Sequence, residues 1–231
     1  MAVRPQLVVG LGNPGPKYES TRHNAGFWLA DRLAARLGVG FRPISRFGLD
    51  ACEATTPAGR VRLVKPTTYM NRSGQAVRAI AEYFRIAPSA ILVVHDELDL
   101  PPGTVRLKEG GGHGGHNGLR DIVAHLGTRD FVRVRLGIGR PGRGMDPIDY
   151  VLQRPGAEDR RLIEESIDEV LDWSEVIFEG DLQRVMKALH TKRDEAGPAD
   201  EAAGCGRGRE RAPDRDSSPA RVPPARPGSA A

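Results

Sequence analysis

Two apolar runs, Leu7-Val8-Val9 and Ile91-Leu92-Val93-Val94, each lead straight into polar, turn-forming sequence. Continuous runs of this kind suit strands covered on both faces, as in a parallel sheet layered between helices. Segments with helical spacing alternate with them: FWLADRLAARLG follows the first run, and QAVRAIAEYFRI precedes the second. In the latter, Ala76, Val77, Ile80, Ala81 and Phe84 share one face, with Ser73 or Asn71 available as cap. LDACEATT and RVRLVK, parted by Pro57, Ala58 and Gly59, read as a hairpin. TVRLK places Val105 and Leu107 on one face, and FVRVRLGIG turns Val132, Val134, Leu136 and Ile138 inward with Arg133 and Arg135 outward. LRDIVAHLG forms a short helix ended by Gly127, and two more helices, Glu158 to Glu179 and Asp181 to His190, complete the pattern. The expected fold class is α/β: a single three-layer α/β/α domain, residues 1–193, around a mixed, largely parallel, twisted sheet.

Residues 194–231 change character, with six prolines, five glycines, nine alanines and almost no large apolar side chain. Such a segment buries too little surface to offset its ordering entropy, so a disordered tail is expected. The tail holds six arginines and seven acidic residues; removing them from totals of 34 and 30 leaves 28 against 23. Basicity therefore belongs to the body, and it is compatible with a polyanionic partner. With no signal segment and no long apolar run, a cytoplasmic protein without membrane association is expected. Cys52 and Cys205 are the only cysteines and support neither a disulfide framework nor a cysteine zinc site.

The stretch Gly10 to Gly26, GLGNPGPKYESTRHNAG, joins the first strand to the first helix. Its glycines admit close approach of a ligand, and Pro14 and Pro16 stiffen it. Gly10, Gly12 and Gly15 spell a dinucleotide fingerprint, but prolines flank the third glycine and the helical period starts only near Asn24 to Phe27. Without a helix at that glycine there is no amide terminus for a pyrophosphate, and the dinucleotide reading is set aside.

Four polar loops stand out: Asn13 to His23, Lys65 to Asn71, His95 to Asp99, and Gly110 to Asn117. Each is expected to start at or soon after the carboxyl end of a strand, where α/β sheets gather their ligands. The loops offer histidine, carboxylate and asparagines, but no GxSxG elbow or placed cysteine. Activated water is the simpler chemistry. His23 would take a proton from water, Asp96 would fix its tautomer and stabilise the imidazolium, and asparagine amides would orient the electrophile and bind the developing oxyanion. That inventory suits ester hydrolysis. His113 and His116 lack the helical spacing of a zinc motif, so no metal and no cofactor are expected. By alternation alone, Arg106, Lys108, Arg133 and Arg135 could be no more than the solvated face of strands.

The blocks GLGNPGPKYESTRHNAGF, KPTTYMNRSGQAV, HDELDLPPG and GGGHGGHNGLRDI, in this order, resemble the signature blocks of bacterial peptidyl-tRNA hydrolases over about Leu7 to Leu189. The resemblance implies a monomeric α/β hydrolase that cleaves the ester between peptide and tRNA in prematurely released peptidyl-tRNAs. Its partners would be peptidyl-tRNA and the stalled large ribosomal subunit. By the same likeness His23 is the base and Asp96 its partner, and Asn13 discriminates blocked from free aminoacyl-tRNA. Tyr18, Tyr69, Asn71 and Asn117 contact the substrate near the scissile bond, Met70 lies in the adjoining wall, and Lys108 with Arg135 clamps the terminal 5′-phosphate. The alternative is a non-catalytic, splicing-factor-like RNA-binding member of the same fold.

Overall fold

Seven strands are present in the computed structural model, which describes residues 3–191: β1 (Leu7–Gly10), β2 (Arg42–Ile44), β3 (Leu49–Thr56), β4 (Gly59–Pro66), β5 (Ile91–Glu97), β6 (Val105–Glu109) and β7 (Val132–Gly137). They form one sheet in the order β2-β3-β4-β1-β5-β7-β6. The central β4, β1, β5 and β7 run parallel, while β2, β3 and β6 add antiparallel edges. The expected tail at 194–231 lies outside the described residues.

Helices cover both faces. The side chains of β1 divide between them: Val8 joins the core beneath α1 (Ala25–Arg36), α5 (Ala157–Asp172), α6 (Ser174–Glu179) and α7 (Leu182–Thr191). Leu7 and Val9 join the core beneath α2 (Ser73–Phe84) and α3 (Asn117–Leu126). The buried runs thus arise because both faces of each central strand are covered, and the fold is the three-layer arrangement the alternation implies.

The order of strands also positions the site. After β1 the chain builds β2, β3 and β4 on one side, then returns through α2 to place β5 on the other. Between β1 and β5 the winding reverses, leaving a crevice beyond their carboxyl ends. Helix α1 enters this crevice against the sheet. A Cβ added at Gly26 would lie 2.5 Å from the backbone nitrogen of Leu11, and one at Gly10 would lie 2.7 Å from Cβ of Ala30. These glycines serve helix–strand contact, not ligand approach.

Several local expectations change. The expected helix over 158–179 breaks at Trp173, where the Ser174 hydroxyl donates to the Leu171 carbonyl at 2.7 Å and competes with the helical ladder. Neither Ser73 nor Asn71 caps α2. Ser73 donates to the Met70 carbonyl at 2.9 Å, and the amide of Gly74 instead finds the carboxylate of Asp121 on α3 at 2.6 Å. Phe84 is 38% exposed because it closes the last turn of α2, where the guanidinium of Arg62 lies 3.7 Å from its ring centroid. Arg133 is buried, not outward, because the Gly110 to Gly115 loop lies over its side chain. Sequence reading also misses the edge strand β2 and the short helix α4 (Pro147–Val151), whose signal is Asp146 capping ahead of Pro147.

Candidate active site

A cleft of about 650 Å³ opens above the crevice between β1 and β5. Asn13, Tyr18, His23, Tyr69, Met70, Asn71, Asp96 and Asn117 all line it, although they come from four separate stretches of chain. Lys108 and Arg135 do not line it. They project from β6 and β7 as diagonal neighbours, since Lys108 faces Arg133 and Arg106 faces Arg135 across the pair. Diagonal partners on one face of such a pair lie about 7–8 Å apart, near enough to share one anion. Arg135 donates through Nε to Glu97 at 2.9 Å, and Glu97 is itself in the cleft wall.

At the floor, Nδ1 of His23 lies 2.9 and 3.0 Å from the two carboxylate oxygens of Asp96. An ionised carboxylate only accepts, so Nδ1 carries a proton, and in the neutral ring Nε2 keeps its lone pair. A single turn of 3-10 helix, Arg22–Asn24, holds the imidazole here at the entry to α1. Burial opposes charging His23, but the charge and hydrogen bond of Asp96 prevail and raise its pKa above the usual histidine value. Burial likewise resists ionisation of Asp96, yet His23 and His116 hold its carboxyl far below the carboxylate range.

His116 is the residue sequence reading misses most. Its Nε2 lies 3.1 Å from Oδ1 of Asp96, and its Nδ1 accepts the amide of Leu119 at 3.3 Å, so its side chain, not that of Asn117, caps α3. One tautomer satisfies both bonds, with the proton on Nε2. His95 packs beside it, ring centroids 5.0 Å apart, and donates through Nδ1 to the Asp96 carbonyl at 2.7 Å. Burial pushes the pKa of His95 well below its usual value.

His23, Asp96 and His116 offer ligand atoms within 4.8 Å of one another, a set that could also hold a metal ion. The donor chemistry fits hydrogen bonding better. A metal needs lone pairs from both imidazoles, whereas the lone pair of His116 is engaged at Leu119 and both Nδ1 of His23 and Nε2 of His116 face a shared carboxylate.

Asn13 is held from both ends. Its Oδ1 accepts the Met70 amide at 2.8 Å, while its backbone N–H and carbonyl pair with the side chain of Asn24 at 2.8 and 3.0 Å. The Asn13 Nδ2 group is left to the cleft as a fixed donor. Asn24, buried and unsuspected from sequence, is therefore a structural partner of the loop. Tyr18 and Tyr69 meet edge to face, 6.4 Å between centroids, and Tyr69 is 59% exposed. The opposite wall is apolar, made of Leu98, Pro147, Ile148, Val151 and Leu152. Arg22 ties that wall to the His23 turn, since its guanidinium donates to the Arg154 carbonyl at 3.1 Å and stacks 4.1 Å from the Tyr150 ring centroid.

One loop arrives by an unexpected route. Because β6 runs antiparallel to β7, Gly110 lies at the amino end of β7, where its N–H donates to the Phe131 carbonyl at 3.0 Å. Residues 110–116 must then climb the sheet face to bring His116 to Asp96, which sits four residues further along the paired strands than Leu92 and Val132. The other three loops do lie at carboxyl ends of parallel strands.

The family profile described as Peptidyl-tRNA hydrolase matches residues 7–196. The peptidyl-tRNA hydrolase of Alkalilimnicola ehrlichii is 52% identical over 188 residues, covering 81% of this chain and 95% of its own. That of Neisseria meningitidis is 51% identical over 187 residues, covering 81% and 97%. Among solved structures, the peptidyl-tRNA hydrolase of Acinetobacter baumannii superposes with a TM-score of 0.78 at 43% identity, covering 82% of this chain and 96% of that one.

Proposed function

The chain belongs to the peptidyl-tRNA hydrolase family and hydrolyses the ester joining peptide to tRNA, and from that premise we propose how the cleft performs the reaction. Nε2 of His23 removes a proton from water as the oxygen attacks the ester carbonyl, and Asp96 stabilises the imidazolium through Nδ1. The carbonyl becomes an oxyanion, and the amides of Asn71 and Asn117 stand in the cleft as donors to it. Collapse expels the ribose oxygen of the tRNA, which takes the proton from His23, and the peptide leaves as its carboxylic acid, which gives its proton to solvent. No serine or cysteine lines the cleft among the described residues, in keeping with water as nucleophile.

Selectivity follows from polarity. Nδ2 of Asn13 donates to the first carbonyl of an N-blocked substrate, an acceptor that a free aminoacyl ester lacks. Tyr18 and Tyr69 flank the entering end, Met70 and the apolar wall receive the peptide, and Lys108 with Arg135 holds the tRNA's terminal 5′-phosphate. The proposal extends to its setting: a monomer in the cytoplasm acting on free peptidyl-tRNA and on stalled large ribosomal subunits. No described helix is long and apolar enough to cross a membrane.

The observation that carries this reading is the His23–Asp96 contact inside a cleft with three asparagines. Purified protein offered an N-acetylaminoacyl-tRNA and its unblocked counterpart should release tRNA from the first only. Equal release from both would remove the role given to Asn13, and chelator-sensitive release would move the mechanism to a metal.

A further inference from the structure

The loop that delivers His116 has little to hold it. Residues 110–115 read Gly-Gly-Gly-His-Gly-Gly, with no apolar side chain to anchor them on the sheet. Among the described residues, their side-chain hydrogen bonds from the sheet come from Arg133, whose Nη1 donates to the Gly112 carbonyl at 2.7 Å and Nη2 to the Gly110 carbonyl. Arg133 is 3% exposed and makes no ion pair among the described residues; its hydrogen bonds go to carbonyls of the loop, and the carboxylate of Glu97 acts on its charge from beyond contact distance. The fit is close: Gly111 has φ +93°, and a Cβ there would lie 2.7 Å from Nη2 of Arg133 and 2.9 Å from Cε of Lys108.

We propose that Arg133 is a positioning residue, a pin that fixes the glycine loop on the sheet face so that His116 reaches Asp96 and Asn117 reaches the cleft. This rests on the reaction proposed above. The pin acts through Gly110 and Gly112 and touches no reacting atom. Because Lys108 packs on the same loop at Gly111, a phosphate drawn to Lys108 bears on a segment already tied to the catalytic carboxylate. The guanidinium, which has no contact ion pair among the described residues, also adds positive potential beneath that phosphate. These two contributions separate on substitution, since lysine keeps the charge but lacks the planar fork that spans two carbonyls.

Arg133→Lys and Arg133→Met should be compared with Gly111→Ala, which crowds the pin from the loop side and leaves Arg133 intact. Turnover of N-acetylaminoacyl-tRNA and amide hydrogen exchange over residues 110–117 are the readouts. Arg133→Lys should lower kcat about tenfold to a hundredfold with KM nearly unchanged, since a small misplacement of catalytic groups costs that much. Arg133→Met should also raise KM, and Gly111→Ala should lower kcat as Arg133→Lys does. In all three, exchange should quicken over 110–117 and not in the central strands. Wild-type kcat and wild-type loop exchange in both Arg133→Lys and Gly111→Ala would overturn the pin. Exchange needs no turnover, so the pin and the hydrolase chemistry fail separately.

Discussion

At the scale of single residues the site is an imidazole whose basicity is set by one carboxylate. With the His23 pKa raised by Asp96, the acid limb of the kcat/KM profile should lie above about pH 6.5, the ordinary histidine value. Only the neutral ring accepts a proton from water, so activity rises as pH climbs through that value. Asp96→Asn removes what raises it and leaves burial, so the limb should move to lower pH while turnover falls. A pH–rate profile of the two proteins checks this, and an unmoved limb would contradict it. The same pairing has a stability signature of opposite sense. A folded-state pKa above the unfolded one contributes stability below the ordinary value, and this is lost as pH rises through the raised value. Thermal unfolding of wild type and His23→Ala should therefore differ most in acid and converge as pH increases. The neutral form of His23, which the proposed mechanism uses, is the less stabilised one.

At the scale of elements, the site depends on α1 lying close against β1 and β5. Gly26→Ala places a methyl against the Leu11 backbone, where nothing flexible can yield, and should cost about 1–3 kcal/mol by overpacking while displacing the His23 turn. Denaturant unfolding together with turnover would register both effects, and unchanged stability would contradict the packing. Much of this architecture is legible in the chain, because buried parallel strands and amphipathic helices announce themselves by composition and period. What escapes is settled by tertiary contact. His116 gains its partners, Asp96 and Leu119, from fold and loop path, so in sequence its neighbourhood reads only as a polar, glycine-rich loop. Alternation alone turns Arg133 outward, and only a loop crossing its face makes it buried. Asn24 stands where the helical period starts, and only the fold shows its side chain bonding to Asn13. His23, Asp96 and the three cleft asparagines are legible because they sit in long polar blocks after strands, where topology gathers ligands.

At the scale of the whole molecule, the proposal has the cleft and the Lys108–Arg135 face act on one polyanion. Alanine at either basic residue should weaken tRNA binding and flatten its dependence on salt, the slope falling by about one for each phosphate no longer neutralised. A titration series that superposes on wild type would remove that residue from the phosphate site. The family match ends at residue 196, and removal of residues 197–231 should leave turnover and unfolding as in the full chain. A truncated protein with impaired turnover would give that segment a part in the reaction. The central claim is that one imidazole, held by one carboxylate, drives water onto the ester. Its most direct test is single-turnover hydrolysis of N-acetylaminoacyl-tRNA by His23→Ala, with tRNA affinity measured in parallel. The account predicts a loss of about 10²–10⁴-fold in rate with affinity retained; hydrolysis near the wild-type rate would contradict it.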